Sequence, residues 1–284
     1  MELSTQTDVA AKRFGEKKTI RWICEAGFDA IDYSMFDYTS NDAMLNRSDY
    51  KQYALELKKL AETYGKRFNQ AHAPFPSHKV GEDEYNAKIY ECIKKAIEVT
   101  GILGAEIIVV HPSSFPNHDK ELVLDFYRSL EPYCKEYGVK VALENMFARD
   151  HRRGCIVENV CSNPQQFAEF VDELDSRYFT ACLDIGHCGL VGHNASDFIK
   201  GLGHNRLTAL HVHDNNYKED QHIWPYSGLL DWDDITSALK EIDYSGVFTY
   251  ESDRSLRQYP EELIPHAYAF MEKIGRHLIS RIIA

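Results

Sequence analysis

Long apolar runs are missing from this 284-residue chain, so no segment is expected to cross a bilayer, which takes about 20 apolar residues in a row. The opening MELSTQTD has no basic-then-apolar pattern, which makes a cytoplasmic protein the expectation. Paired cysteines are missing too. Cys24, Cys92, Cys134, Cys155, Cys161, Cys182 and Cys188 are odd in number and nowhere spaced CxxC. They read as reduced, largely buried thiols rather than a disulfide framework. Neither GxGxxG nor GxxxxGK[ST] follows the first strand-like run, so nucleotide-binding folds lose their usual support. Basic residues fall short of acidic ones, 32 against 44, for a formal charge of −12. That balance argues against nucleic acid as a partner, although bound metal ions can reverse the field locally.

What is present is alternation. Short β-branched or apolar runs centre near residues 3, 30, 69, 108, 142, 182, 210 and 248. Their spacing of ~25–40 residues is that of one βα unit in a barrel. Between them lie stripes of helical period. Tyr50, Tyr53, Ala54, Leu57, Leu60, Ala61 and Tyr64 form one, stopped by Gly65. Ile89, Cys92, Ile93, Ala96 and Ile97 form the next. A third spans 120–137 and stops at Gly138. Asn163 followed by Pro164 predicts an N-cap, Asp231 predicts another, and a last helix is expected to begin near Pro260. With no linker or low-complexity segment, the chain reads as one (β/α)8 TIM barrel over 1–284, an α/β fold.

Many of these runs end in a residue able to bind a metal or move a proton. IIVV ends in His111, VAL in Glu144, TACL in Asp184, TAL in His211, VFTY in Glu251 and RFNQA in His72, and Asp32 closes DAI. The C-terminal ends of parallel barrel strands open into one bowl, so these scattered residues converge there. A lone strand-end carboxylate or histidine is usually a structural partner. Three carboxylates brought together, however, repel strongly unless a cation lies among them. Glu144, Asp184, His211 and Glu251 are therefore the expected ligands of one divalent ion: three oxygens and an imidazole suit Mn, Mg, Co or Zn. His72, His111, His187, Asp220 and His222 map to the same rim as further metal or substrate ligands. His213 is assigned to the helix layer, away from the bowl. His78, His118, His151, His193, His204, His266 and His277 receive no role. Lys218, Arg254 and Trp224 are candidate substrate contacts, and Arg257, Arg149, Arg152 and Arg153 are further candidates for a phosphate. Phe36, Phe75, Phe115, Phe147, Trp224 and Tyr226 are candidate pocket walls. The rim loops are read as short and of mixed charge.

With ALEN, LDIGH, LHVHDN and TYES in these places, the chain resembles the xylose isomerase-like barrel superfamily, in its branch of sugar phosphate isomerases and epimerases, ketose 3-epimerases and inosose enzymes. The resemblance runs from the first strand to Glu251. It implies a single metal held by Glu144, Asp184, His211 and Glu251, a proton-moving pair in Glu144 and Glu251, and a substrate contact at His187. It further implies a carbohydrate substrate and a homo-oligomer. The expected activity is isomerisation or epimerisation of a sugar, a sugar phosphate or a cyclitol. An inosose-type dehydratase is an alternative on the same scaffold. The chain also matches, at His72, His111, Glu144, Asp184, His187, His211, Asp220, His222 and Glu251, the nine-ligand pattern of class II apurinic/apyrimidinic endonucleases. That likeness implies a trinuclear-zinc phosphodiesterase as the rival. ENMFARDHRRG and WPYSGLLDW depart from the nuclease pattern.

Overall fold

A computed structural model of the chain describes residues 1–113, 115 and 119–284. Its strands are β1 (Leu3–Gln6), β2 (Ala30–Ser34), β3 (Arg67–His72), β4 (Ile107–Val110), β5 (Lys140–Glu144), β6 (Phe147–Asp150), β7 (Cys155–Glu158), β8 (Phe179–Asp184), β9 (Leu207–His211) and β10 (Phe248–Tyr250). Eight of these pair in the order β10-β1-β2-β3-β4-β5-β8-β9, all parallel. The ring closes between its ends, where Val212 bridges Tyr250. Val212 N–H donates to Thr249 O at 2.9 Å and Glu251 N–H donates to Val212 O at 3.1 Å. This is a (β/α)8 barrel.

Around it run α1 (Asp8–Phe14), α2 (Glu16–Ala26), α3 (Tyr50–Thr63), α4 (Asp83–Leu103), α5 (Lys120–Tyr137), α6 (Pro164–Asp172), α7 (Ile185–Leu190), α8 (Ala195–Arg206), α9 (Trp232–Glu241) and α10 (Ile264–Ile283). The expected caps form. Asn163 accepts from the N–H groups of Gln165 and Gln166, and Asp231 from those of Asp233 and Asp234. Each satisfies donors that a helix start leaves without partners. The last helix begins later than expected, at Ile264, because residues 253–258 and 261–263 form tighter 3-10 turns first. The arginine-bearing stretch after β5 is not a short loop. It folds as the antiparallel hairpin β6–β7, pairing Arg149 with Ile156. No helix among the described residues is long and apolar enough to cross a membrane.

Alternation along the strands sorts the core into two layers. Ile31, Tyr33, Ile108, Val110, Val141, Leu143, Leu183, Leu210, Phe248 and Tyr250 face the helices in the main apolar cluster. Val109, Ala142, Cys182 and Ala209 make a separate small cluster inside the ring. Two residues beyond each of these four, on the same inner face, stand His111, Glu144, Asp184 and His211. Thr249 leads to Glu251 in the same way.

Candidate metal centre and active-site cavity

The ligand atoms of Glu144, Asp184, His211 and Glu251 lie within 4.8 Å of one another, and all four side chains are buried. His211 Nδ1 is 3.0 Å from Glu144 Oε1 and 3.2 Å from Glu251 Oε2. The other Glu144 oxygen faces His111 Nε2 at 3.1 Å and His72 Nε2 at 3.5 Å. Asp32 sits behind this group. It accepts from Gln70 Nε2 at 3.0 Å and lies 3.8 Å from His211 Nε2.

Beside the quartet stands a second group of His187, Asp220, His222 and, contrary to expectation, His213. Residues 211 and 213 are two apart, and in an extended chain such residues share a face. It is Val212 that joins the helix layer. His213 Nε2 is 2.9 Å from Asp184 Oδ1, and its ring stacks on that of His222 with centroids 4.0 Å apart. The group is reached from a loop strained at His222, whose φ of 46° lies in the left-handed region that non-glycine residues rarely adopt. Arg254 donates to the Asp220 backbone oxygen and, at 3.3 Å, to Asp220 Oδ2, so it braces that loop.

Backbone carbonyls orient the imidazoles. Ala73 O, Asn145 O and Glu251 O lie 2.7, 2.8 and 2.7 Å from the Nδ1 atoms of His72, His187 and His222. With Nδ1–H donating there, each Nε2 lone pair points into the bowl, the arrangement metal-bound histidines use. Asn145 also brackets Asp184, accepting from its N–H at 2.8 Å and donating to its carbonyl at 2.9 Å. Three atoms of the two groups have no hydrogen-bond partner: His72 Nε2, Glu144 Oε2 and Asp220 Oδ1. A buried polar atom left unpaired costs about 1–3 kcal/mol, and here such atoms converge with crowded carboxylates. This donor set fits divalent metal. Burial pushes the Glu251 carboxyl well above the usual range despite His211, with Glu144, Asp184 and Asp220 repelling its charge. Burial acts on Glu144 too, but the His211 and His111 rings outweigh it and hold that carboxyl well below the usual range.

Above the quartet opens a cavity of about 450 Å³, with Glu144, Glu251, His111 and His187 on its floor and Phe36, Phe75 and Phe147 as apolar wall. Arg254 and Arg257 reach its edge. Lys218 and Trp224 do not line it. Lys218 borders a separate cavity with Arg149 beside the hairpin. Trp224 packs on Tyr259 and Phe270 at 6.2 and 5.8 Å. The cause lies in Asp214, whose buried carboxylate accepts from Asn215 N–H, Leu230 N–H and Trp232 Nε1–H and so folds the intervening loop back on itself. Phe115 packs on His78, and Tyr226 near Trp232 and His277, so neither is pocket wall. His78 does line the cavity, whereas His118 lies outside the described residues. Gln6, Lys12 and Asp253 line it as well and were not singled out in the sequence. Gln6 alone carried a signal, as the polar end of β1.

The family model described as xylose isomerase-like TIM barrel matches residues 20–274. The uncharacterized protein MJ1311 of Methanocaldococcus jannaschii is 32% identical over 192 residues, 64% of this chain and 63% of that protein. The chain thus spans less than two thirds of this relative's length. D-psicose 3-epimerase of Enterocloster bolteae is 24% identical over 247 residues, 83% of this chain and 76% of that enzyme. The solved structure of an IolI protein with a zinc atom bound superposes with a TM-score of 0.76, covering 99% of this chain and 98% of that one at 21% identity, a likeness of fold.

Proposed function

The chain belongs to the xylose isomerase-like TIM-barrel family, and from that premise we propose that it is a divalent-metal-dependent isomerase or epimerase of a sugar, sugar phosphate or cyclitol. The observation that carries this reading is geometric. Glu144, at the end of β5, and Glu251, just past β10, flank one imidazole at 3.0 and 3.2 Å and both face the cavity. Similarity to an enzyme named D-psicose 3-epimerase supports it. Glu144, Asp184, His211 and Glu251 would hold the ion. A divalent ion in that place acts as a Lewis acid toward a carbonyl and its neighbouring hydroxyl, easing removal of the proton on the adjoining carbon.

The rest falls to the protein. One glutamate takes the carbon-bound proton and the other returns one, on the opposite face for epimerisation or at the next carbon for isomerisation. If proton removal is followed by departure of hydroxide, the same pair performs dehydration. His111 and His187 line the floor where substrate oxygens would lie, and the three phenylalanines exclude water from the reacting carbon. In D2O, the purified enzyme should wash deuterium into the carbon next to the carbonyl of its ketose or inosose substrate, read by proton NMR. Glu251→Gln should slow the exchange by about 10²–10⁴, the usual worth of general-base catalysis. Exhaustive chelation should suppress exchange in the wild type. Unchanged exchange in the variant removes Glu251 from the role.

A second reading rests on the overlap of donor groups. His72, His111 and Glu144 lie on one side of the quartet and His187, Asp220 and His222 on the other, the layout of a trinuclear phosphodiesterase site. Incision of an abasic duplex by the zinc-loaded protein is the measurement that would install it.

A further inference from the structure

We infer that Asp32 is a positioning residue for His211. Its carboxylate accepts the Nε2–H of that imidazole, on the side away from the cavity, and so holds Nδ1 toward the ion the quartet would bind. The inference rests on the metal-dependent reading of the quartet and names what orients its one nitrogen ligand.

The His211 ring is turned the opposite way from its neighbours. His72, His187 and His222 set Nδ1 against a backbone carbonyl and leave Nε2 for the bowl. In His211 it is Nδ1 that lies among the quartet oxygens, 3.0 Å from Glu144 Oε1 and 3.2 Å from Glu251 Oε2. An imidazole that offers Nδ1 to a metal carries its proton on Nε2. That Nε2 is buried and has no hydrogen-bond partner. Facing it is Asp32, whose Oδ2 lies 3.8 Å away. The carboxylate is equally short of partners. It is buried, among the described residues only Gln70 Nε2 donates to it, and Oδ1 accepts nothing. A carboxylate and a ring nitrogen left unpaired in the interior are each costly, and meeting relieves both. The gap is too long for a hydrogen bond and closes with a shift of about 1 Å. A cation on Nδ1 makes the opposite N–H a stronger donor, the relation of carboxylate, histidine and metal that fixes ring orientation.

A break in strand register builds the pair. Ile31 pairs with Phe68 but Asp32 with Gln70, so Asn69 is an extra residue in β3. Such bulges re-aim side chains. Strict alternation would send only one of residues 69 and 70 into the ring, yet both go there. Asn69 accepts from Ser4 Oγ at 2.7 Å and donates to Thr249 Oγ1 at 3.1 Å, while Gln70 reaches Asp32 at 3.0 Å. The slip thereby supplies the amide that fixes Asp32 behind His211. Two plainer readings compete. In one, Asp32 is only Gln70's partner in the barrel interior. In the other, Cys182, which also neighbours the ring, takes the proton, although a thiol is the weaker acceptor.

The full chain, stripped of metal, is titrated with Mn²⁺, an ion the oxygen-rich quartet suits, and free ion is read by electron paramagnetic resonance. Asp32→Ala should bind its tightest Mn²⁺ about 10–100-fold more weakly than wild type, the usual effect of losing such a partner. Asp32→Asn, a neutral acceptor of the same shape, should lose less, and Cys182→Ala should bind as wild type does. In the zinc-loaded protein with 15N-labelled histidine, a far-downfield ring N–H proton should be present that His211→Gln lacks. Asp32→Asn should move that proton upfield, a change that a merely structural role does not produce. A wild type that takes up no Mn²⁺ overturns the metal-dependent reading and this inference together. A wild type that binds Mn²⁺, with a folded Asp32→Ala binding equally well, overturns the inference alone. Weakening confined to Cys182→Ala would assign the proton to sulfur and overturn it as well. Should Asp32→Ala fail to fold, Asp32→Asn decides, and an unmoved His211 proton overturns the inference.

Discussion

Gly186 and His213 share one small volume, and the site depends on which of them has a side chain. A methyl group at 186 would press on three atoms of the imidazole at 2.0–2.5 Å. Gly186→Ala should therefore expel the His213 ring, costing about 1–3 kcal/mol of stability as an overpacked core does. Urea unfolding measures the cost, and an unchanged midpoint in Gly186→Ala would mean that the His213 ring yields without loss. At this scale period-two alternation makes the strand ends legible in the sequence. His111, Glu144, Asp184, His211 and Glu251 all lie where their strand ends place them. His213 departs from the expected helix layer because the same rule, counted through Val212, puts it with His211. Thiols are equally legible. Cys155 is exposed while the other six cysteines are buried. Burial pushes Cys24 up to about 11 and Cys134 and Cys182 up to about 12. Iodoacetamide should accordingly add once to the native chain, at Cys155, and at all seven cysteines after denaturation, read by intact mass. Rapid alkylation at a second native site would contradict the burial.

Among the elements, those with both a stripe and a stop signal were readable end to end. Helix α5 runs over the expected 120–137, with Gly138 at φ 67° closing it in the left-handed conformation glycine tolerates. Helices α6 and α9 start at their expected caps. Asn163 accepts two backbone N–H bonds, so Asn163→Ala should cost about 1 kcal/mol. The urea midpoint should shift while the slope stays constant, and activity should persist, because α6 contributes nothing to the cavity. A changed slope would instead indicate a change in the surface exposed on unfolding. The hairpin β6–β7 was not readable, since ARDHRRG has no apolar alternation and the ribbon lies half-exposed on the rim without a buried face. Helix α7 was hidden for another reason. Its N-cap is Asp184 itself, which accepts from His187 N–H at 2.8 Å while facing the bowl. One residue thus serves as metal ligand candidate and as helix start, and it carries His187 into place.

At the scale of the whole molecule, the barrel explains why a site assembled from residues 72 to 251 was legible without a structure: parallel strand ends converge whatever lies between them. Loop convergence has no such rule. Only the coordinates show Arg254 bracing Asp220, or Lys218 and Trp224 turned away. Closure of the ring is also a long-range matter, and on the face opposite the site one group spans it. Asp29, just before β2, accepts from Leu3 N–H at 2.9 Å and from Arg276 Nη1 at 2.6 Å and Nη2 at 3.0 Å, joining first strand to last helix. Partial burial works against its ionisation, but the Arg276 guanidinium and the Leu3 N–H outweigh that and hold the carboxyl below its usual value. A carboxyl whose folded pKa is depressed adds stability above its unfolded value of about 3.9 and loses it as pH falls through the folded one. Asp29→Asn should therefore be less stable than wild type at pH 7 in urea, and the gap should shrink as pH drops below about 4, because the wild type alone gives up the ionised contact. A gap of equal size at pH 7 and pH 3 would show that Asp29 acts through neutral hydrogen bonds, and that charge plays no part in holding the two ends of the chain together.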